Sequence, residues 1–289
     1  MREQNGRGTH RTDRTRGIDS ASDSRTRSVD RLSRRSTLMH LSAAVGLSTG
    51  FSGCLGRTVA RETELPIQAH RCFGSVYPEN TVRAAVLAAE VADQIEFDVR
   101  RCGSGEIVVF HDERVDRLTD ETGPVSEFDA QELRRLHVAD SDERIPLLSE
   151  MLEAIPGECT ANIELKEPGL AADAIRKGRA ADPDIVISSL EPDLLREAEN
   201  APGRDDVETA LVGVGTVGDS YAEGIATAAA IGCDRVHLSA ELVANTDAVS
   251  LAHREGLWVN SATLRTSRGV DRMRQTPVDG LSGDRPDIF

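Results

Sequence analysis

The sequence predicts an α/β fold in which eight parallel strands close into a (β/α)8, or TIM, barrel. Short apolar runs alternate strictly with stretches whose apolar residues recur at helical spacing, and this order is typical of a parallel sheet. Eight such runs lie between residue 66 and the C-terminus, a number that favours closure into a barrel. The 289 residues of the chain also suffice, because a barrel of this kind takes roughly 250 residues.

The predicted strands are short runs rich in apolar and β-branched residues. In chain order they are Pro66–His70, Gln94–Arg100, Ala161–Lys166, Asp184–Ser189, Glu208–Val214, Arg235–Ser239, Leu257–Ala262 and Gly280–Gly283. A further strand-like run, Glu106–His111, follows the second of them. An open, doubly wound sheet is the alternative, but no glycine-rich phosphate-binding loop follows the first run.

Helices are predicted wherever apolar residues between the strands recur at intervals of three and four. They cover 78–91, 147–155, 170–181, 191–200, 219–231, 241–255 and 267–275. Residues 112–148 break the alternation, because they are polar and allow only one short helix near 129–136. We interpret them as a small excursion over the barrel mouth after the second strand. Few residues follow the eighth strand, so the last helix is expected to be short or missing.

The first 54 residues resemble an export signal and are not assigned to the barrel. Residues 1–33 are rich in Arg, Ser, Thr and Asp, which predicts disorder. Arg34 and Arg35 precede a mildly apolar run over 36–54 without Lys, Arg, Asp or Glu, which resembles a twin-arginine signal. The run ends in a lipobox-like sequence at Cys54, which predicts lipidation there and an exported protein anchored at the extracellular face of a membrane. A weak transmembrane anchor is the alternative.

Charge argues against a nucleic-acid partner. The chain has 49 acidic and 34 basic residues and a net charge of −15, whereas nucleic-acid binding needs a basic surface. Residues 1–35 hold ten Arg and five acidic residues, so the remainder carries −20 (−15 − 5). This acidic composition, with only two Lys, resembles proteins of salt-loving organisms, in which screening relieves repulsion between carboxylates.

We expect residues 55–65 to form a linker and 66–289 to form the barrel domain.

Carboxylates are concentrated on the second and third barrel strands. Glu96 and Asp98 lie two residues apart and therefore share one strand face. Glu164 and Lys166 repeat this spacing on the next parallel strand, so three carboxylates can converge at one end of the barrel. Buried carboxylates are costly unless a cation neutralises them. Hard oxygen ligands of this type suit Mg²⁺ or Ca²⁺.

Two histidines end strand-like runs, in His70-Arg71 and in His111-Asp112. Chemistry in such barrels gathers at the carboxyl ends of the strands, and two histidines can supply an acid and a base near neutral pH. Arg71 and Lys166 add positive charge of the kind that binds phosphate oxygens. Taken singly, each histidine could be structural and each charge part of an ordinary ion pair. Their convergence favours a catalytic site.

These residues belong to a series of motifs that resembles the glycerophosphodiester phosphodiesterase family over about residues 66–287. The motifs are His70-Arg71, Pro78-Glu79-Asn80-Thr81, Ile95-Glu96-Phe97-Asp98-Val99, Gly105 through His111-Asp112, Asn162-Ile163-Glu164-Leu165-Lys166 and Asp284-Arg285-Pro286. The resemblance implies a (β/α)8 barrel that hydrolyses glycerophosphodiesters to glycerol phosphate and an alcohol with a divalent metal. The implied roles are metal binding by Glu96, Asp98 and Glu164, acid/base catalysis by His70 and His111, and phosphate binding by Arg71 and Lys166. The resemblance also implies that Pro78–Thr81 starts the first helix and that Asn80 braces the loop beside the site.

The chain departs from the family pattern at three places. Cys72 stands where the family has Gly after His-Arg, and its side chain could crowd the loop beside the metal. Ser189-Leu190 replaces Ser-Phe, and Ala262-Thr263 replaces Trp-Thr. Trp258 lies earlier in the seventh strand and is not expected to replace the missing aromatic residue. A disulfide between Cys72 and Cys102 is conceivable but not expected.

Two other functions are compatible with the same residues. A phospholipase acting on intact membrane lipids would use a related barrel, and an apolar rim at the barrel mouth would favour it. A non-catalytic surface lipoprotein that binds phosphate headgroups is the second. The five carboxylate and histidine positions are all present in this chain, which favours the enzyme.

Overall fold

The computed structural model describes residues 64–215 and 220–289. The predicted leader over 1–54, lipidation of Cys54 and most of the predicted linker lie outside the described residues. None of the helices in the described ranges is long and apolar enough to cross a bilayer.

The strands of the described region form one closed sheet. They are β1 (Ile67–Ala69), β2 (Gln94–Arg101), β3 (Ile107–Val109), β4 (Thr160–Leu165), β5 (Asp184–Ser189), β6 (Glu208–Val214), β7 (Arg235–Ser239), β8 (Trp258–Leu264) and β9 (Gly280–Gly283). All except β3 are parallel to their neighbours, and β1 pairs with both β2 and β9, which closes an eight-stranded barrel. β3 pairs antiparallel with β2. The predicted barrel is therefore confirmed.

The helices follow the predicted alternation with the strands. They are α1 (Val82–Ala88), α2 (Ala130–Leu133), α3 (Leu148–Ala154), α4 (Ala171–Gly178), α5 (Pro192–Glu199), α6 (Tyr221–Ile231), α7 (Ala240–Asn245), α8 (Ala248–Arg254) and α9 (Ser267–Met273). After β9 there is only a 3-10 turn at Pro286–Ile288. The expectation of a short or missing last helix is thus confirmed.

The structure corrects the start of one predicted helix and the continuity of another. The first helix does not start at Pro78, because Thr81 is its N-cap and accepts a hydrogen bond from the backbone N–H of Ala84. The single helix predicted over 241–255 is two helices, α7 and α8. The chain breaks at Thr246, whose backbone is extended and whose hydroxyl accepts from the N–H of Ala248. A threonine hydroxyl that satisfies a backbone donor in this way competes with helix continuation.

Alternation along β2 separates an apolar outer face from a charged inner face. Ile95, Phe97 and Val99 are fully buried in a core between the strands and helices α1, α3 and α4. Glu96 and Asp98 point the other way, into the barrel. The register pairs Glu96 with Asn162 and Asp98 with Glu164, so the inner side chains of β2 and β4 lie at matching heights.

The excursion after β3 has a small apolar core of its own. Val115, Val125, Leu133, Val138 and Ile145 are buried there together with Phe110. The turn at Val115–Arg117 is fixed by a hydrogen bond from the N–H of Val115 to the carbonyl of Gly123. These contacts give the excursion a defined structure beside the barrel mouth.

Candidate active site

Two hydrogen bonds join polar side chains of three strands inside the barrel, below the site. The Gln68 amide donates to the Ser282 hydroxyl at 3.2 Å, and the Asn162 amide donates to the Gln68 carbonyl oxygen at 3.1 Å. Gln68 therefore connects β1 to β9 and to β4. His70 and Glu164 lie two residues further along the chain than Gln68 and Asn162, on the side of the site.

Three carboxylates converge at the carboxyl ends of β2 and β4. One oxygen from each of Glu96, Asp98 and Glu164 lies within 4.8 Å of the others, and the three residues are only 1–4% exposed. Burial, together with the charge of Asp98, raises the pKa of Glu96 to about 8. The predicted convergence of three carboxylates at one end of the barrel is therefore confirmed.

The same cluster fits a divalent cation. Glu96 Oε1 is buried and has no hydrogen-bond partner among the described residues, although the other oxygen of the same carboxylate accepts the N–H of Arg71 at 2.6 Å. An oxygen that is buried without a donor carries a desolvation cost that a bound cation removes. All three donors are carboxylates, the ligand type of Mg²⁺ and Ca²⁺.

Two cations border the carboxylates. Lys166 Nζ lies 2.8 Å from Asp98 Oδ1 and also pairs with Glu164. Arg71 Nε lies 3.4 Å from Asp98 Oδ2. Burial acts to raise the pKa of Asp98, but Lys166 and Arg71 outweigh it, so this pKa is lowered. Lys166 and Arg71 thus bring positive charge to the edge of the carboxylate cluster.

Each of the two predicted histidines is paired with an aspartate through Nδ1. His70 Nδ1 lies 2.6 Å from Asp284 Oδ1, and His111 Nδ1 lies 2.5 Å from Asp112 Oδ1. An aspartate at Nδ1 orients the ring and leaves Nε2 available for proton transfer. Burial lowers the pKa of His70, but Asp284 and Glu96 raise it more, to about 8.

The aspartates were not assigned roles from the sequence, although both lie in the motifs quoted there. Asp112 directly follows His111, so its proximity could have been inferred. Asp284 is 214 residues from His70, and only closure of the barrel between β1 and β9 brings them together. Glu79 and Arg117, which lie in the same ion-pair network, were also missed.

Asn80 braces the site as expected. Its amide donates to Asp98 Oδ2 at 2.8 Å, and its carbonyl oxygen accepts the N–H of Asp98 at 3.2 Å. Asn80 has a φ of 62°, a left-handed conformation that Asn tolerates better than most residues. The loop that leads into α1 is therefore tied directly to one of the three carboxylates.

Comparison with known proteins agrees with this geometry. Residues 70–288 match the model of the Glycerophosphoryl diester phosphodiesterase family. The chain belongs to this family. A glycerophosphodiester phosphodiesterase of Caldanaerobacter subterraneus is 36% identical over 146 residues, which are 45% of this chain and 60% of that protein.

Solved structures of two phosphodiesterases are similar to the barrel of this chain. The crystal structure of a glycerophosphodiester phosphodiesterase from Agrobacterium tumefaciens has a TM-score of 0.67 and 25% identity, covering 78% of this chain and 98% of that one. A phosphodiesterase from Oleispira antarctica, in complex with the product sn-glycerol-3-phosphate, also has a TM-score of 0.67. Its identity is 24%, with 77% of this chain and 94% of that chain covered.

The departures from the phosphodiesterase family pattern do not remove any of the clustered residues. Cys72 has a φ of 58°, and its buried side chain packs in the barrel–helix core, with Sγ 3.8 Å from the carbonyl oxygen of Glu96. The side chain is therefore accommodated in this core beside Glu96. Trp258 lies at the amino end of β8, away from the site, and stacks with Arg235 at 4.8 Å. Cys72 and Cys102 are both free thiols, as expected.

Proposed function

We propose that this protein is a metal-dependent phosphodiesterase that hydrolyses glycerophosphodiesters to glycerol phosphate and an alcohol. The observation that carries the proposal is the convergence of two His–Asp pairs on a buried cluster of three carboxylates. Membership of the phosphodiesterase family supports the substrate class, as does the glycerol phosphate bound by the structural relative. Mg²⁺ and Ca²⁺ are the candidate metals.

Glu96, Asp98 and Glu164 would hold the metal, and Arg71 and Lys166 would bind the phosphate oxygens. When bound, the metal supplies positive charge that stabilises negative charge on the phosphodiester. Arg71 and Lys166 are fixed by contacts with Asp98, so their charge is already in position before substrate arrives. Preorganised charge of this kind stabilises a transition state without reorganisation.

His70 and His111 would carry out the proton transfers. Through Nε2, one histidine removes the proton from the nucleophile. The other donates a proton to the oxygen of the leaving alcohol. Attack by water gives glycerol phosphate directly, whereas attack by a neighbouring glycerol hydroxyl gives a cyclic glycerol phosphate that water opens in a second step. Asp284 and Asp112 hold the two rings through Nδ1, so each imidazole presents the same nitrogen to the substrate.

A small diester is favoured over an intact membrane lipid by the packing of the excursion. Its larger apolar residues, among them Val115, Val125 and Leu133, are buried in their own core. The side chains that this segment exposes, such as Arg114, Arg117 and Glu121, are polar. The part of the rim that the excursion forms is therefore suited to a polar ligand.

The proposal is tested by assaying glycerol phosphate release from glycerophosphocholine with Mg²⁺, with Ca²⁺ and with EDTA. We expect activity with at least one metal and none in EDTA. His111→Ala should lower kcat by about 10²–10⁴-fold, the typical contribution of one proton transfer.

His253→Ala is the matched control, because His253 also pairs with an aspartate, Asp279, at 2.8 Å, but at the amino ends of β8 and β9. It should leave kcat unchanged. A folded protein that turns over no glycerophosphodiester with any divalent metal would refute the proposal. A panel of intact phospholipids and binding of glycerol 3-phosphate would then distinguish a phospholipase from a headgroup-binding protein.

A further inference from the structure

Arg117 joins the excursion to two separate residues of the site. Its guanidinium donates to both oxygens of Glu79, at 2.7 and 3.1 Å, and to both oxygens of Asp112, at 2.6 and 3.1 Å. One side chain thus makes two bidentate contacts. The planar fork of Arg fits this arrangement, whereas the single ammonium group of Lys cannot reproduce it.

The two carboxylates that Arg117 holds each contact a residue with a proposed role in the reaction. Asp112 holds His111 through Nδ1 at 2.5 Å. Glu79 accepts from Arg71 Nη1 at 3.3 Å. Arg117 therefore stands one contact away from a proposed acid/base group and one contact away from a proposed phosphate ligand.

The core and turn of the excursion anchor the backbone next to Arg117. Val115, two residues earlier, is fully buried in the core of the excursion. Asp116 accepts the N–H of Gly123 at 2.9 Å, which closes the turn on the other side. The backbone of Arg117 is thus anchored by packing, although its side chain is 46% exposed.

The charge of Arg117 also affects Asp112. The hydrogen bonds from Arg117, with a further contribution from His111, lower the pKa of Asp112 to about 2. The ionised Asp112 is an acceptor for the Nδ1–H of His111. Without Arg117, two carboxylates at the mouth would lose their shared cation.

We propose that Arg117 is a positioning residue that fixes His111 through Asp112 and Arg71 through Glu79. The inference rests on the phosphodiesterase function proposed above and assigns a role to the excursion. The excursion acts as a support that holds the acid/base group and the phosphate ligand at a fixed separation. Arg117 itself does not touch the substrate.

The test compares Arg117→Gln with Arg114→Gln. Arg114 lies in the same turn and forms an ion pair with Asp116 at 3.1 Å, with the side chains 52% and 42% exposed, and it contacts none of the site residues named above. We expect Arg117→Gln to lower kcat by about 10–100-fold, the cost of losing a group that orients a functional residue. Arg114→Gln should stay within about twofold of the wild type, since exposed pairs contribute little.

Arg117→Lys keeps the charge and separates positioning from folding. It should retain the thermal stability of the wild type and recover only part of kcat, because one ammonium cannot span both carboxylates. The double variant Asp112→Asn/Arg117→Gln should be little slower than the slower single variant, since residues that act as a unit are not additive. Arg117→Gln or Arg117→Lys with wild-type kcat, or additive effects in the double variant, would overturn the inference.

A second readout does not depend on turnover. In protein labelled with ¹⁵N-histidine, the hydrogen-bonded Nδ1 proton of His111 should give a distinct NMR signal in the wild type and in Arg114→Gln. It should broaden or vanish in Arg117→Gln, while the Nδ1 signal of His70 persists. If the wild type hydrolyses no glycerophosphodiester, this comparison still decides whether Arg117 orders His111. An unchanged His111 signal in Arg117→Gln would refute the positioning role.

Discussion

The His70–Asp284 pair shows how one contact can link the site to the stability of the fold. The pair joins β1 to the chain just after β9, the two strands at which the barrel closes. The pKa of His70 is about 8 in the folded chain, above its ordinary value of 6.5. The folded protein therefore binds a proton at this site more tightly than the unfolded chain does.

This difference predicts a pH-dependent contribution to stability. The contribution is fully present below pH 6.5 and is lost as the pH rises through 8, because above that pH neither state holds the proton. Asp284→Asn should therefore lower the free energy of unfolding most at about pH 6. The difference in free energy of unfolding between this variant and the wild type should shrink by roughly 1–2 kcal/mol by pH 9. This follows from about 1.4 kcal/mol per unit of pKa shift.

The measurement is urea unfolding of both proteins in EDTA at pH 6 and pH 9. Arg265→Gln is the matched control, because Arg265 also contacts Asp284, at 3.1 Å, but is 77% exposed. The change in free energy of unfolding that Arg265→Gln causes should not shrink between pH 6 and pH 9. A gap between Asp284→Asn and the wild type that is equal at the two pH values would show that the ion pair with His70 adds no stability.

At the scale of single residues, the sequence predicted which residues cluster but not the contacts that hold their side chains in place. The period of two along a strand placed Glu96, Asp98 and Glu164 on inner faces, because alternation needs no knowledge of tertiary structure. The contacts of Glu79 with Arg71 and Arg117 depend on loop geometry. The loop at Arg71–Phe73 has three successive positive φ values, 47°, 58° and 61°, without a glycine in those positions to signal them.

At the scale of elements, strands were predicted more accurately than helices. β5, β6, β7 and β9 have the predicted boundaries, because strands of a parallel sheet are buried on both faces and therefore form short runs with few charged residues. Helix ends depend on caps and on turns that apolar periodicity does not register. The break at Thr246, which divides α7 from α8, changes the number of helices.

The amino end of the barrel is filled by a packed cluster that the strand pattern did not reveal. Arg235 lies over the Trp258 ring and donates to Glu208 at 2.5 Å and to Gln94 at 3.3 Å. Gly280 on β9 lies against the same indole, and a Cβ added there would overlap the ring. The glycine is therefore required by the approach of Trp258.

Gly280→Ala should destabilise the protein by about 1–3 kcal/mol, the usual cost of overpacking a core. In a Trp258→Leu background the same substitution should cost little, because the smaller side chain leaves room for the methyl group. Urea unfolding of the two single variants and the double variant measures this coupling. Since the cluster lies at the end of the barrel opposite the site, kcat of folded Gly280→Ala should equal that of the wild type. Additive costs in the double variant would exclude the steric explanation.

At the scale of the whole molecule, the net negative charge acts against the folded state. The chain carries −15 overall, and the part after residue 35 carries −20. Many of the described acidic residues form ion pairs with Arg, such as Asp173 with Arg101 and Arg176. The excess of carboxylates over cations nevertheless leaves a net repulsion that the fold must withstand.

Two effects of salt therefore oppose each other. Raising the ionic strength from 0.1 to 1 M shortens the Debye length from about 10 to 3 Å, which weakens the long-range repulsion between carboxylates. It also weakens exposed ion pairs, but these contribute only about 0–1 kcal/mol each. Buried pairs such as Lys166 with Asp98 are screened much less. With a net charge this large, relief of repulsion should dominate.

We expect the thermal midpoint at pH 7 to rise between 0.1 and 1 M KCl. A gain of about 2 kcal/mol corresponds to roughly 4–8 °C for a domain of 150–250 residues. The rise should shrink at pH 5, where carboxylates begin to approach their ordinary pKa values of about 4 and the net negative charge falls. Thermal unfolding followed by circular dichroism at both pH values measures the two responses. A midpoint that falls with KCl at pH 7 would mean that surface ion pairs outweigh the repulsion, and an equal rise at both pH values would mean that salt acts on apolar burial and not on charge.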